Sequence, residues 1–386
     1  MRAFQRVKKI LKNINPLIKN YLICLMVVRG RKNCAAMAKS TNIPEKFLYS
    51  FLNDAKNVTG EMDDMLLQLT HKPQLEKSPK AFGVDPTHII KPYARYIEKL
   101  CYDRAGTSKR VEHCLVPIYA MVMDRFATIP LAMKFWIQEN LTGKRHYKTK
   151  AKLTMALISE ARKNKVKFDF VPLDGGYAVP EMLDFFAETK ESFVMRIPKS
   201  RVITTSDGIR AQLKNHPALK LHRNEREKVV QAKLKGRTYF FVAYKRKDKD
   251  GGYETVYLIS NMNKPAKELI VAYNMRWPLE KVIRTTKQKF GAMQCQALEI
   301  EKQQAHLTAG VLAYAILETA NIDKQEKSVD ALVNFIRDEH AVDLIMLIEN
   351  PCKINRRGRP RLDAKPLQNP IYYAKKNADS SVSLRN

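Results

Sequence analysis

One short segment, YNMRWPLEKVIRTTK, carries the residue types that phosphate chemistry uses. Four of its residues lie three, four and seven positions apart: Tyr273, Arg276, Glu280 and Lys287. These intervals put all four on one face of a helix. Such a face offers a carboxylate for a metal ion, flanked by cations that can bind phosphates. A solvated helix held by salt bridges would explain the charges, but not Tyr273 and Trp277.

Pro278 complicates a single straight helix through this segment. Proline lacks an N–H, but it suits the first turn of a new helix. We therefore expect a break near Trp277, with Glu280 and Lys287 on the second helix.

A second candidate acid is Asp174 in the sequence LDGGY. The run KVKFDFVPLD predicts a buried strand that ends at Asp174, followed by a tight turn at Gly175 and Gly176. In α/β proteins, binding residues gather at the carboxyl ends of such strands. A carboxylate after a strand is common, so this position alone does not identify a site.

The helical segment resembles the Tyr-Arg-Glu-Lys signature of one large branch of bacterial insertion-sequence transposases, the IS-four family of DDE enzymes. LDGGY is similar to the second-acid segment of that family, Asp-Gly-x-aromatic. GVDPTHIIKP is similar to its first-acid segment, an Asp-Asp-Thr triplet, although Pro86 replaces the second Asp. The resemblance covers roughly residues 81–314. It implies that the catalytic, metal-binding carboxylates are Asp85, Asp174 and Glu280.

The DNA-binding residues that we expect surround Glu280 in the same segment: Tyr273, Arg276, Arg284 and Lys287. By resemblance, the enzyme cleaves transposon ends and joins the freed 3′-hydroxyl to target DNA. Relatives pass through a hairpin intermediate and act as homodimers that hold both ends. The alternatives are a related nuclease that cuts without joining, and a DNA-binding regulator with a decayed site, to which Pro86 points.

The expected cofactor is a pair of Mg²⁺ ions, for which Mn²⁺ can substitute. Phosphodiester cleavage activates a nucleophile on one side and stabilises the leaving oxygen on the other, with metals about 3.5–4 Å apart. Mg²⁺ prefers oxygen ligands, so carboxylates suit it. We expect His88, His113 and His306 to be structural or to face phosphates. Asp103 and Asp124 fall in turn-like segments, where solvated aspartates are common.

Composition agrees with a polyanionic partner. The 386 residues carry a net charge of +30 at pH 7, and 45% of them are hydrophobic, as in a folded protein. Basic surfaces bind phosphate backbones by releasing counterions, although ribosomal and membrane-surface proteins are basic too. The six cysteines show no zinc-type spacing, and no apolar run is long enough to cross a bilayer. We expect a cytoplasmic, nucleoid-associated bacterial protein.

The sequence pattern predicts a helical, DNA-binding region over residues 1–75. Within it, residues 34–54 predict two helices joined by a turn, either a helix-turn-helix or an ordinary helical hairpin. Three strands at residues 81–90, 110–123 and 125–136 follow, then a helix and a further strand. This is the order of a ribonuclease-H-like α/β fold. Prolines at positions 86, 117 and 130 should mark bulges, edges or strand ends.

The predicted catalytic domain covers residues 76–320, with a β-rich insertion at about 192–263. A helical region at 321–350 and a basic, flexible tail at 351–386 complete the chain. Within the tail, NRRGRPRL (residues 355–362) is similar to a minor-groove hook, but a solvated basic tail is the other interpretation.

Overall fold

The structure, a computed structural model, describes residues 2–71, 79–106, 108–248, 251–324 and 326–349. The candidate minor-groove hook at residues 355–362 lies outside these residues. No helix in the described ranges is long and apolar enough to span a membrane.

The N-terminal residues form five successive helices: α1 (Arg2–Lys12), α2 (Pro16–Val27), α3 (Cys34–Thr41), α4 (Glu45–Asn53) and α5 (Ala55–Thr70). Pro16 lies in the first turn of α2, where its missing N–H costs no hydrogen bond. Asn42 adopts a left-handed backbone (φ 53°) that ends α3 and separates it from α4. The helices predicted within residues 34–54 are therefore confirmed as α3 and α4.

The first sheet is built around one long strand. Its strands are β1 (Ala81–Pro86), β2 (Ile89–Ile90), β3 (Cys101–Arg104), β4 (Val111–Met123) and β5 (Thr128–Trp136). β4 pairs antiparallel with β1 and then β2 along one edge, and with β5 and then β3 along the other. The three predicted strands in this region are confirmed as β1, β4 and β5.

The prediction of a turn at residues 103–110 was partly wrong, because Asp103 and Arg104 belong to β3. β4 extends past the end of β5, and β3 pairs with the edge that β5 leaves free. The prolines behave as expected. Pro86 ends β1, Pro117 lies where the partner of β4 changes from β1 to β2, and Pro130 lies beside a bulge in β5.

The second sheet runs in the order β6-β7-β12-β11-β10-β8-β9. Its strands are β6 (Val171–Leu173), β7 (Phe193–Arg196), β8 (Val202–Thr205), β9 (Arg210–Gln212), β10 (Glu227–Leu234), β11 (Arg237–Lys247) and β12 (Tyr253–Ser260). β6 and β7 are parallel, and the other pairs are antiparallel. Helices α6 (Glu139–Thr142) and α7 (Lys150–Lys163) precede β6, and α8 (Pro180–Thr189) connects β6 to β7.

Five helices follow the second sheet: α9 (Ala266–Asn274), α10 (Trp277–Lys289), α11 (Ile300–Ala320), α12 (Val329–Glu339) and α13 (Ala341–Ile345). Successive strand residues point to opposite faces. Accordingly, Ala81 and Tyr119 join one core with α2, α5, α10 and α11, whereas Phe82 and Ile118 join another with α7 and α8. α11 is buried along most of its length. The N-terminal helices and the sheet therefore share one hydrophobic core.

Candidate active site

Asp85 and Asp174 occupy equivalent positions on neighbouring strands. A parallel bridge pairs Ala81 with Phe170, and the Phe82 amide donates a 2.9 Å hydrogen bond to the Phe170 carbonyl. Asp85 lies four residues after Ala81, and Asp174 lies four residues after Phe170. Because this offset is even, both side chains point to the same face. The structure thus brings two of the predicted acids together at the carboxyl ends of adjacent strands.

The backbone after Asp174 forms a 3-10 turn over Gly175–Tyr177. The Tyr177 amide donates a 3.0 Å hydrogen bond to the Asp174 carbonyl. The predicted turn is therefore present, but neither glycine has a positive φ. A Cβ on Gly175 would meet nothing closer than 3.6 Å, and one on Gly176 would meet nothing within 4 Å. The two glycines leave open space beside the exposed Asp174.

The predicted break before Glu280 is confirmed. α9 ends at Asn274, and α10 begins at Trp277 with Pro278 in its first turn. Between them, Arg276 keeps a helical backbone (φ −68°, ψ −28°). The Arg276 amide donates a 3.1 Å hydrogen bond to the Tyr273 carbonyl. The chain therefore changes helix without losing the helical spacing that relates these residues to Glu280.

Gly83 allows α10 to lie directly against β1. A Cβ at Gly83 would come within 3.0 Å of the Leu279 Cδ1 and would overlap the Met123 side chain. Leu279 immediately precedes Glu280, and Gly83 lies two residues before Asp85 on the same strand. This close packing therefore brings the third acid towards the first. Gly83 was not among the predicted residues, although a glycine inside a strand pattern is a signal of close approach.

The Arg276 guanidinium lies between the carboxylates of Asp85 and Glu280. It donates a 2.6 Å hydrogen bond from Nη2 to the Glu280 Oε1, and its Nη1 lies 3.6 Å from the Asp85 Oδ2. The Arg276 side chain is only 11% exposed. Its Nε is buried without a hydrogen-bond partner among the described residues. Arg276 thus links a strand acid to the helix acid.

Burial and the charge of Arg276 shift the pKa of Asp85 in opposite directions. Burial raises the pKa of Asp85 to about 7; Arg276 counteracts this shift, whereas Asp174 and Glu280 add to it. Burial lowers the pKa of Arg276, but Asp85 and Glu280 outweigh this and raise it overall. An acid whose pKa responds to both other acids is electrostatically coupled to them. Asp85 is therefore electrostatically coupled to both of the other predicted carboxylates.

The four predicted DNA-binding residues differ in exposure. Tyr273 is 6% exposed, and burial raises its pKa. Tyr273 and Arg276 are therefore part of the interior of the site. Arg284 is exposed and Lys287 is half-buried. Burial lowers the pKa of Lys287, and Asp85 opposes this shift.

The alternative acids have structural partners away from this cluster. Asp103 accepts hydrogen bonds from the His88 Nε2 at 2.8 Å and the Lys150 Nζ at 2.6 Å. Asp124 Oδ1 accepts hydrogen bonds from the amides of Phe126 and Ala127, at 2.6 and 2.7 Å. Asp124 therefore stabilises the turn that follows β4. Its place in a turn was expected, but it is buried rather than solvated, and Asp103 lies on a strand.

Comparison with known families agrees with this geometry. A family model described as the transposase DDE domain matches residues 121–316, just over half of the chain. The chain belongs to the DDE-domain transposase family. No curated protein matches it. Membership implies an enzyme with nuclease or transposase activity that acts on DNA, and the family generally depends on divalent metal ions.

The matched part of this transposase contains Asp174 and Glu280, but Asp85 lies before it. The assignment of Asp85 therefore depends on its position beside Asp174 and its link to Glu280 through Arg276. Tyr177, which sequence analysis passed over, is 5% exposed. Burial raises its pKa, with contributions from both aspartates. Tyr177 is the aromatic residue of the Asp-Gly-x-aromatic pattern, and this pattern was the signal that could have identified it from the sequence.

The donor chemistry of the transposase fits a hard divalent cation, because the cluster consists of carboxylates with oxygen donors only. Within the described ranges, no three His, Cys, Asp or Glu side chains are arranged so as to hold a metal ion. The carboxylates are coupled through Arg276 rather than converging on one point. As expected, His306 is structural: it is buried and hydrogen-bonded to Tyr21 and Gly291.

Proposed function

We propose that the chain is a DNA transposase of the IS-four type. It would cleave transposon ends and join the freed 3′-hydroxyl to target DNA by two-metal phosphoryl transfer, in a cut-and-paste manner that can include a hairpin intermediate. The observation that carries this proposal is the cluster of Asp85, Asp174 and Glu280. Two of these acids come from adjacent strands, and the third comes from the helix that bears the Tyr-Arg-Glu-Lys signature.

The sheet order supports a ribonuclease-H-like core. Reading across the bridge between Ala81 and Phe170, the strands follow the order β5-β4-β1-β6-β7. Three antiparallel strands are followed by two parallel strands that are connected through helices. In such a core the first and second acids would lie on the central strands and the third on an adjoining helix.

Asp85, Asp174 and Glu280 would hold the Mg²⁺ ions, which, when bound, activate the nucleophile and stabilise the leaving oxygen. Arg276 would hold Asp85 and Glu280 close to each other, and its charge would oppose the effect of burial on the pKa of Asp85. Two carboxylates that are near each other repel, and a cation between them favours their charged forms. We therefore assign Arg276 as a positioning residue for the acids.

Lys287 and Arg284 would bind the phosphates of the scissile strand. Neither side chain forms an ion pair or hydrogen bond within the described part of the chain. Lys287 is close enough to Asp85 for the two charges to influence each other's pKa. A half-buried cation without a protein partner, next to a carboxylate cluster, suits an anion that arrives with the substrate. Such contacts position the strand rather than read its bases.

The remaining parts of the proposal concern DNA capture. We propose that residues 1–75 bind DNA, with α3 and α4 as the candidate helix-turn-helix, and that two copies act together to hold both transposon ends. The net charge of +30 supports binding to the phosphate backbone. Residues 76–320 would then form the catalytic domain, with the β-rich insertion that the sequence put at about 192–263 beginning only after β7, since β7 belongs to the core order.

A test is to incubate the full chain with DNA that contains its own flanking genomic sequence, a second duplex and Mg²⁺. The proposal predicts cleavage at the element ends and covalent joining of the new 3′ ends to the second duplex, both abolished by EDTA. Cleavage without joining would favour a nuclease. Binding without Mg²⁺-dependent cleavage would favour a regulator with a decayed site.

A further inference from the structure

Exposed aromatic side chains line an open cavity at the far end of β4. The cavity has a volume of about 490 Å³ and is lined by Pro92, Tyr93, Ala94, Arg95, Tyr102 and His113. Tyr93 is 94% exposed and Tyr102 is 64% exposed. The rings of Tyr102 and His113 are stacked, with centroids 4.7 Å apart and planes 19° apart. We call Tyr93, Tyr102, His113 and Arg95 the aromatic surface.

Three arginines lie near the aromatic surface along the chain. Arg95, Arg104 and Arg110 are exposed. In the described ranges, none of these three guanidinium groups forms a hydrogen bond or an ion pair. Exposed guanidinium groups next to flat aromatic rings can bind phosphates while the rings contact bases. Charge and ring chemistry therefore both point to a nucleic acid.

The aromatic surface lies on the same face of the sheet as the carboxylates. Asp85 pairs with Tyr119 of β4, so their side chains share a face. His113 lies six residues before Tyr119 on β4. Because six is even, the two side chains point to the same face. At about 3.4 Å per residue, this separation is about 20 Å. Leu115 and Pro117, which lie between them on this face, are buried, so a DNA strand held at the carboxylates would span this distance over the protein surface and not along β4 itself.

We propose that the aromatic surface binds the unstacked bases of single-stranded DNA that extends from the cleavage site. In a duplex the face of each base is covered by its neighbours, so exposed tyrosine rings have nothing to stack on. In a single strand the bases are free to stack on aromatic side chains, in any sequence. The inference rests on the proposed function in taking DNA as the substrate and the carboxylates as the cleavage site.

The test measures binding of the full chain to fluorescent oligothymidine and to a hairpin duplex, both in EDTA, so that the result is independent of cleavage. We expect Tyr93→Ala and Tyr102→Ala each to weaken oligothymidine binding by roughly tenfold and to leave duplex binding nearly unchanged. Tyr93→Phe and Tyr102→Phe keep the rings and should bind like the wild type. Tyr253→Ala, which removes another exposed tyrosine on β12, is the matched control.

Equal weakening of single-strand and duplex binding would overturn the proposal in favour of a general phosphate contact. Unchanged binding by both alanine variants would also overturn it. If those variants instead altered self-association in sedimentation, the surface would be a protein interface. Failure of the wild type to cut DNA in Mg²⁺ would contradict the proposed function, but it would not alter this comparison.

Discussion

Leu279 packs so closely on Gly83 that the methyl group of an alanine at position 83 would come within 3.0 Å of the Leu279 Cδ1. Gly83→Ala should therefore push α10 away from β1. We expect the free energy of unfolding to fall by about 1–3 kcal/mol, as for other overpacked cores. Cleavage should fall further than stability explains, because Glu280 follows Leu279. Urea unfolding and a cleavage assay below the unfolding transition measure both effects.

Gly60→Ala is the matched control, since Gly60 lies inside α5 with nothing within 4 Å of the added Cβ. It should stabilise the chain by about 0.5–1 kcal/mol because alanine favours helices more than glycine. If Gly83→Ala were as stable and active as this control, the position of α10 would not depend on its close approach to Gly83.

Local sequence patterns predicted much of the site. Pro278 placed the break between α9 and α10, because proline favours a first helical turn. The apolar run before Asp174 predicted the strand that presents this acid. These features depend on a few neighbouring residues, so they can be predicted from the local sequence.

Features that depend on distant contacts were not predictable. β3 forms because β4 extends beyond the end of β5 and leaves an edge with which β3 can pair. No local pattern at residues 101–104 indicates this pairing. Arg276 lies 3.6 Å from Asp85, nearly two hundred residues earlier, and the local spacing around Arg276 does not indicate this contact. The register that aligns Asp85 with Asp174 depends on a single bridge between β1 and residue 170.

His306 should make the stability of the fold depend on pH. Its Nε2–H donates to the Gly291 carbonyl at 2.9 Å, so Nδ1 accepts from the Tyr21 hydroxyl at 2.8 Å. Burial lowers the pKa of His306 to about 4. The unfolded chain therefore binds this proton first, and stability falls as pH drops from about 6.5 to 4. Between pH 7 and 5 the loss from this group is about 2 kcal/mol.

His306→Gln keeps a donor and an acceptor but cannot titrate. Urea unfolding at pH 7 and pH 5 should show a loss about 2 kcal/mol smaller in this variant than in the wild type. The exposed His222 supplies the control, and His222→Gln should behave like the wild type. An identical pH-dependent loss in all three proteins would show that His306 does not titrate in this way.

Lys287→Ala should weaken binding to all DNA sequences similarly. If Lys287 contacts a phosphate, the slope of the logarithm of the binding constant against the logarithm of the salt concentration should fall by roughly one. Cleavage should fall too, because a displaced strand leaves the in-line geometry. Metal binding should survive, since no ligand is removed. Anisotropy titrations over a range of salt concentrations give the slope.

Lys264→Ala serves as the comparison, because Lys264 is exposed and pairs with Glu268 at 3.3 Å. Exposed pairs of this kind contribute about 0–1 kcal/mol to stability, and this one should leave the salt slope unchanged. If Lys287→Ala showed the same salt slope and cleavage rate as Lys264→Ala, Lys287 would be an ordinary surface residue.

Strand cleavage by Glu280→Gln and Asp174→Asn in Mg²⁺ tests the carboxylate cluster most directly. Carboxamides are poor Mg²⁺ ligands, whereas the cationic surface remains in both variants. We expect cleavage of the element ends to be abolished while DNA binding stays close to that of the wild type, with Glu268→Gln on α9 as an active control. Wild-type cleavage by either variant would contradict the assignment of that residue as a metal-binding acid.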